Sequence, residues 1–196
     1  MKPRVVLYFG SFNPVHRGHI ALAEYVIADG FADRVVLIVS PQNPHKEQSG
    51  LAAEFSRYEM CQAACVASRY PELIQVSAVE FTLPRPSYTI DTLNFLAENF
   101  GSQMEFSILM GADNIESFHR WKEHEQIIAN YPILVYPRTG YSLSRSQYAD
   151  RVVFLENAPL FDFSATDIRT AIAKGNSVSD MVIPEVENYI KQNKIY

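Results

Sequence analysis

The sequence predicts an α/β fold built on a largely parallel sheet, and three features carry that reading. Val5–Phe9 and Val35–Val39 are short, uninterrupted apolar runs rich in β-branched residues, the pattern of strands covered on both faces. Between them, Ile20, Ala23, Tyr25, Val26 and Ile27 recur at roughly helical spacing within His19–Phe31. Strand, loop, helix and strand thus fit into about 35 residues, the size of one right-handed crossover unit.

The alternation then continues. Glu54–Ser68 reads as a helix, Ile74–Ala78 as a strand, Thr89–Asn99 as a helix and Phe106–Met110 as a strand. A helix near Glu123–Ala129, a strand at Ile133–Tyr136 and a short strand at Val152–Leu155 follow. Two helices come last. One begins at Ser164 and ends near Gly175, and the other follows Pro184, whose fixed φ suits a first helical turn. Pro41–Leu51, Phe81–Ser87 and Pro137–Ser146 are the longest irregular stretches. They are candidates for substrate contacts, because open α/β sheets bind ligands beyond the carboxyl ends of their strands.

A length of 196 residues fits one domain, residues 1–196, able to bury its core without a disulfide or metal staple. With 47% hydrophobic and 20% charged residues the chain is globular rather than disordered. Seventeen cationic side chains against 22 carboxylates give a net charge of −5, and no like-charged run interrupts the sequence. That balance argues against nonspecific nucleic-acid or membrane-surface binding, which calls for a basic footprint. Cys61 and Cys65 lie four apart in one helical pattern, a poor geometry for a disulfide, so reduced buried thiols are expected. No segment approaches the ~18 apolar residues of a membrane helix, and a cytoplasmic protein is expected.

The most informative stretch is Gly10-Ser11-Phe12-Asn13-Pro14-Val15-His16-Arg17-Gly18-His19, between the first strand and the first helix. Gly10 allows a sharp turn and close approach of a ligand, and Pro14 stiffens the loop. His16 and His19 share one face at a helix start, where free N–H groups point outward, and Gly18 leaves space between them. An anion there meets two imidazoles and the positive end of a helix dipole, which makes this a phosphate site. It is neither a dinucleotide fingerprint nor a Walker loop, and no third ligand at zinc spacing stands nearby, so no resident metal is expected.

This decapeptide resembles the signature of the nucleotidylyltransferase superfamily, the His-x-Gly-His enzymes that cleave ATP or CTP between the α and β phosphates. The resemblance implies a Rossmann-like sheet with helices on both faces. It gives His16 and His19 a catalytic role on the triphosphate and puts Gly10, Ser11 and Phe12 at the ATP. Near the other end, Ser164-Ala165-Thr166-Asp167-Ile168-Arg169 reads locally as a capping box, Ser164 with Asp167. The superfamily carries a Ser-Ser-Thr-x-Ile-Arg element in this region. By that likeness Ser164, Thr166 and Arg169 bind ATP phosphates, Arg169 catalytically, and Ala165 replaces the second serine. Gly111-Ala112-Asp113 follows a strand: Asp113 accepts from a ribose hydroxyl, organises a metal shell or caps the next helix. The resemblance favours the nucleotide.

The second substrate is read from the remaining loops. His45, Lys46, Arg57 and Arg138 offer cations, Tyr88 and Thr89 a helix start, and Trp121 one flat aromatic surface. A phosphorylated ligand with a planar acidic ring would use all three. Pro44-His45-Lys46, Ser87-Tyr88-Thr89-Ile90-Asp91-Thr92-Leu93 and Gly111-x-Asp113 followed by Phe118-x-x-Trp121 resemble the bacterial nicotinate-nucleotide adenylyltransferases. The likeness runs from Val5 to Arg169. Departures are Gly10-Ser11 for Gly-Gly-Thr or Gly-Gly-Ser, Asn43 for a common proline, and Ala165. It implies ATP with Mg²⁺ and nicotinate mononucleotide as substrates and deamido-NAD and pyrophosphate as products. Pantetheine-phosphate or nicotinamide-nucleotide adenylyltransferases on the same scaffold, and a sensing module without turnover, are the alternatives.

Overall fold

The computed structural model describes residues 1–41, 50–141 and 146–196. Its centre is a six-stranded, fully parallel sheet of β1 (Arg4–Gly10), β2 (Arg34–Val39), β3 (Ile74–Ser77), β4 (Glu105–Gly111), β5 (Ile133–Tyr136) and β6 (Val153–Phe154). The strands lie in the order β3-β2-β1-β4-β5-β6. Leu7 of β1 pairs with Val36 on one side and Ile108 on the other. Strand order therefore reverses between β1 and β4, the crevice where open parallel sheets hold their ligands.

Seven α-helices accompany the strands among the described residues, five between strands and two after the last: α1 (Arg17–Ala28), α2 (Glu54–Val66), α3 (Thr89–Phe100), α4 (Ala112–Glu116), α5 (His124–Asn130), α6 (Ala165–Ala173) and α7 (Pro184–Asn193). Side-chain alternation along β1 decides which layer meets which face. Val6 and Tyr8 join a cluster with Ala23, Val26, Met60, Ile168 and Val186, from α1, α2, α6 and α7. Val5 and Leu7 join the opposite cluster with Leu93, Ile115 and Ile127, from α3, α4 and α5. Both faces of β1 are thus dry, which explains its unbroken apolar run.

The expected elements are all present, β5 with the expected bounds and most of the others with shifted ends. The first helix starts two residues earlier than its apolar pattern, at Arg17, because His16 supplies the N-cap. Gly10 does not turn the chain: β1 runs through it, and the left-handed residue is Phe12 at φ 44°. The Phe12 ring is 2% exposed, and its burial among apolar neighbours holds that conformation in place. The short α4 was not legible beforehand. Cys61 and Cys65 are free and buried, and burial pushes both thiols well up, Cys65 to about 12, so neither is a reactive thiolate.

Candidate active site

Two cavities flank the carboxyl ends of β1 and β4. The larger, about 470 Å³, is lined by Tyr8, His16, His19, Asp113, Tyr136 and Arg138 together with the stretch 159–164. The smaller, about 110 Å³, is lined by Gly10, Ser11, Glu80, Tyr88, Thr89 and Trp121 with several neighbours. Tyr8 faces one and Phe9 the other, as adjacent residues of a strand must.

In the larger cavity the two imidazoles stack, with centroids 3.6 Å apart and planes 29° apart. His16 is the N-cap of α1 and His19 stands at its third position. The His16 backbone N–H donates to His19 Nδ1 at 3.1 Å. That bond leaves Nε2 as the protonated nitrogen of the neutral His19 ring. Phe12 packs edge-on against His19 at 5.0 Å, and Tyr8 sits tilted against it at 5.8 Å. His16 is 6% exposed, and burial, followed by the nearby Arg138 charge, lowers its pKa to about 3. Its Nδ1 is buried and accepts no hydrogen bond among the described residues. Gly18 fits closely between two rings here. A Cβ at that position would lie 3.1 Å from the His16 ring and 3.2 Å from Phe161.

Asp113 and Arg138 complete this cavity. Arg138 Nε lies 3.6 Å from Asp113 Oδ1, an ion pair longer than a hydrogen bond. Gly111 lines neither cavity but permits the arrangement, since a Cβ there would come within 2.2 Å of the same oxygen. Arg138, expected beside the second substrate, therefore stands with the histidines. Gly10 and Ser11, expected beside ATP, stand instead in the smaller cavity. Both exchanges have one cause: a loop's side of the sheet is set by strand order, which local sequence does not reveal.

Ser164 caps α6 through a reciprocal box. Its N–H and Oγ both donate to Asp167 Oδ2, at 2.8 and 2.6 Å, and the Asp167 N–H donates back to its Oγ at 3.3 Å. It also borders the larger cavity. Thr166 and Arg169 line neither cavity. Arg169 donates to the Asn13 carbonyl at 2.8 Å and to Thr166 Oγ1 at 3.2 Å. Where a guanidinium aimed at phosphate was expected, Arg169 here ties α6 to the loop carrying the histidines. Phe12 is corrected likewise, from a lining residue to the buried support beneath His19.

Arg57 departs furthest from expectation. Its side chain is 0% exposed, so it is not a substrate contact. Its guanidinium donates to the carbonyls of Ala52 (2.9 Å), Ser11 (2.7 Å), Ser40 (2.7 Å) and Pro41 (3.0 Å). It binds the loop after β1 to the segment after β2. His45 and Lys46 lie outside the described residues.

In the smaller cavity, α3 opens at Tyr88 with no side chain capping its first N–H groups. Trp121 packs on Phe118 at 5.4 Å, and Lys122 lies 4.9 Å from the Tyr88 ring centroid while pairing with Asp91 at 2.9 Å. Glu80, not singled out from sequence, is 2% exposed and accepts from Ser87 Oγ at 2.8 Å and Thr92 Oγ1 at 2.9 Å. Burial raises its pKa. Glu80 thereby holds the loop before α3 against the helix's own first turns. Asn13 was missed too. Its Nδ2 donates to the Gly50 carbonyl, while its Oδ1 accepts from the Ala52 N–H and from Tyr196 Oη. Only the sequence neighbourhood of the histidines could have hinted at it.

The sequence matches the cytidylyltransferase-like family over residues 7–171. Two proteins named probable nicotinate-nucleotide adenylyltransferase are similar over nearly their whole lengths. That of Cytophaga hutchinsonii is 39% identical over 193 residues, covering 98% of each chain. That of Bacteroides fragilis is 41% identical over 191 residues, covering 97% of this chain and 92% of its own. The chain belongs to the nicotinate-nucleotide adenylyltransferase family. Plasmodium falciparum nicotinic acid mononucleotide adenylyltransferase complexed with NaAD shares the family's fold, with a TM-score of 0.81 over 99% of this chain and 97% of its own at 17% identity. Family membership makes the chain a nucleotidyltransferase of NAD biosynthesis. Among the described residues no helix is long and apolar enough to cross a membrane.

Proposed function

We propose that the protein transfers the adenylyl group of ATP to nicotinate mononucleotide, forming deamido-NAD and pyrophosphate. The observation that carries this reading is the pair of cavities at the β1/β4 crevice. The histidine stack and Arg138 suit a polyphosphate, and the start of α3 with Trp121 suits a flat anionic ring. An acceptor phosphate in the smaller cavity would reach across the Gly10–Ser11 edge to the α-phosphorus.

The acceptor phosphate is ionised near neutral pH and needs no general base. Its oxygen forms the new bond to the α-phosphorus while the bond to the bridging oxygen breaks in line, and the electron pair leaves with pyrophosphate. His19 Nε2–H donates to the oxygens on which charge grows, and neutral His16 stacks behind it and fixes its plane. Arg138 supplies positive charge, and Arg169 acts as a positioning residue on the loop. Ser164 supports the same wall. Asp113 takes a ribose hydroxyl.

Among the described residues no cluster of three or more His, Cys, Asp or Glu could cage a metal. Magnesium therefore fits as an ion carried by the triphosphate, largely held by phosphate oxygens and water. When bound it neutralises part of the triphosphate charge.

Pyrophosphate release from ATP with nicotinate mononucleotide, nicotinamide mononucleotide and phosphopantetheine, measured side by side, tests the reading. The acid is expected to exceed the amide by ~100-fold in kcat/KM, about 2.7 kcal/mol. Comparable rates for acid and amide remove the specificity claim, turnover with phosphopantetheine alone overturns the acceptor, and ATP binding without turnover favours a sensor. Trp121→Ala is expected to raise KM for the mononucleotide about tenfold and leave the KM for ATP near its normal value. A change confined to the ATP KM would contradict stacking of the acceptor ring on Trp121.

A further inference from the structure

Asn13 stands on the loop that carries the histidines, shortly before His16, and is buried. Several segments grip it. Its Nδ2 donates to the Gly50 carbonyl at 2.9 Å, its Oδ1 accepts from the Ala52 N–H at 3.0 Å, and its carbonyl accepts from Arg169 at 2.8 Å. The shortest of these bonds comes from farthest along the chain: Tyr196 Oη donates to Asn13 Oδ1 at 2.6 Å, across 183 positions. The segment after α7 thus meets the histidine loop directly.

Tyr196 is delivered there by a built arrangement. Helix α7 packs on α2, buries Val186 and Ile190, and is tied by a hydrogen bond from Tyr189 Oη to Glu59. Lys194 then turns the chain left-handed at φ 52°, and the Ile195 N–H donates back to the Ile190 carbonyl at 3.1 Å. A lysine in that region is strained, and the packing of Ile195 and Tyr196 against the core cluster holds it there. A phenylalanine would fill the same apolar space, so packing alone does not account for the hydroxyl. Burial pushes the Tyr196 phenol up even though the Arg169 and Arg57 charges pull it down, and Oη stays a neutral donor. We infer that Tyr196 is a positioning residue for adenylyl transfer: by holding Asn13 it fixes the loop from which His16 and His19 address the triphosphate. This rests on the larger cavity holding ATP.

The test is Tyr196→Phe, which keeps the ring and removes only the donor. Its kcat for pyrophosphate release from ATP and nicotinate mononucleotide is expected to fall roughly 5- to 10-fold, with KM for the mononucleotide near normal. Its Tm should drop by no more than about 4 °C, the cost of one hydrogen bond, with kinetics read well below the melt. In an Asn13→Ala background the same substitution is expected to change kcat less than about twofold, because the contact it removes is already gone. An unchanged kcat in Tyr196→Phe overturns the proposal. So does a change confined to the mononucleotide KM, or an undiminished loss in the Asn13→Ala background. Should Asn13→Ala fail to fold, NMR of the free protein decides: the imidazole signals that vanish in His19→Ala are expected to shift in folded Tyr196→Phe, and coincident signals overturn the proposal. Those signals are read without substrate, and the reaction itself is read from wild-type turnover, so failure of the reaction reading and failure of the Tyr196 contact are distinct results.

Discussion

Replacing His19 with alanine is expected to lower kcat by about 10²–10³-fold while leaving the protein folded. The size follows from where the ring's donor stands. His19 Nδ1 accepts from the His16 N–H, and the ring is held by the His16 stack and the Phe12 edge, so its orientation in the cavity is fixed before substrate arrives. A donor preorganised in this way needs no reorientation as charge builds on the transferring group, so its loss falls on the transition state rather than on binding. The ring is only partly buried, so its removal should cost on the order of 1 kcal/mol and move Tm by a few degrees. Steady-state kinetics beside a thermal melt separate the two effects. Wild-type-like turnover in the variant would sink the assignment of His19. His19→Gln restores a donor in roughly the same place and is expected to recover part of the loss.

Arg57→Ala produces the opposite signature, a large loss of stability. Four carbonyls from three segments give up a cationic partner at once, in a place with no exposure to water. Orphaned buried acceptors and the void left by the side chain together cost on the order of 3–5 kcal/mol. For a domain of this size that lowers Tm by roughly 6–20 °C. Arg57→Lys should recover little, because one ammonium cannot span the Ser11, Ser40, Pro41 and Ala52 carbonyls as a planar fork does. A melt of Arg57→Ala within about 2 °C of the wild type would refute this account. Folded Arg57→Ala should also turn over more slowly, because Ser11 lines the smaller cavity, the one proposed to hold the acceptor.

Both variants bear on how function is written in a chain. His16 and His19 were legible because their chemistry is local. Three positions of spacing, a strand before them and a helix after them already place both imidazoles together at a helix start, where the expected phosphate site lies. Trp121, Tyr88 and Thr89 do line one cavity, as their grouping in the sequence reading expected, although the short α4 before Trp121 left no periodic mark. Arg57 was misread because an arginine in a helix's first turn looks the same whether it meets solvent, a ligand or four carbonyls. Glu80 and Asn13 left no local mark, since a polar residue beside a turn carries no record of its burial.

The sequence by itself determined the α/β class and the order of strands and helices, and its motifs resembled those of the family to which the chain belongs. The class and the element order depend on periodicity and spacing, interactions that reach only a few residues along the chain. The tertiary structure alone decided which loops share a cavity. Placing β1 beside β4 sends Tyr8 and Phe9 to opposite sides of the crevice, and so puts Arg138 with the histidines and Ser11 with Trp121. It also joined Tyr8 to Tyr136 and brought Asp113 to Arg138. Contacts of that kind arise when distant segments close on one another, and no local pattern encodes their partners.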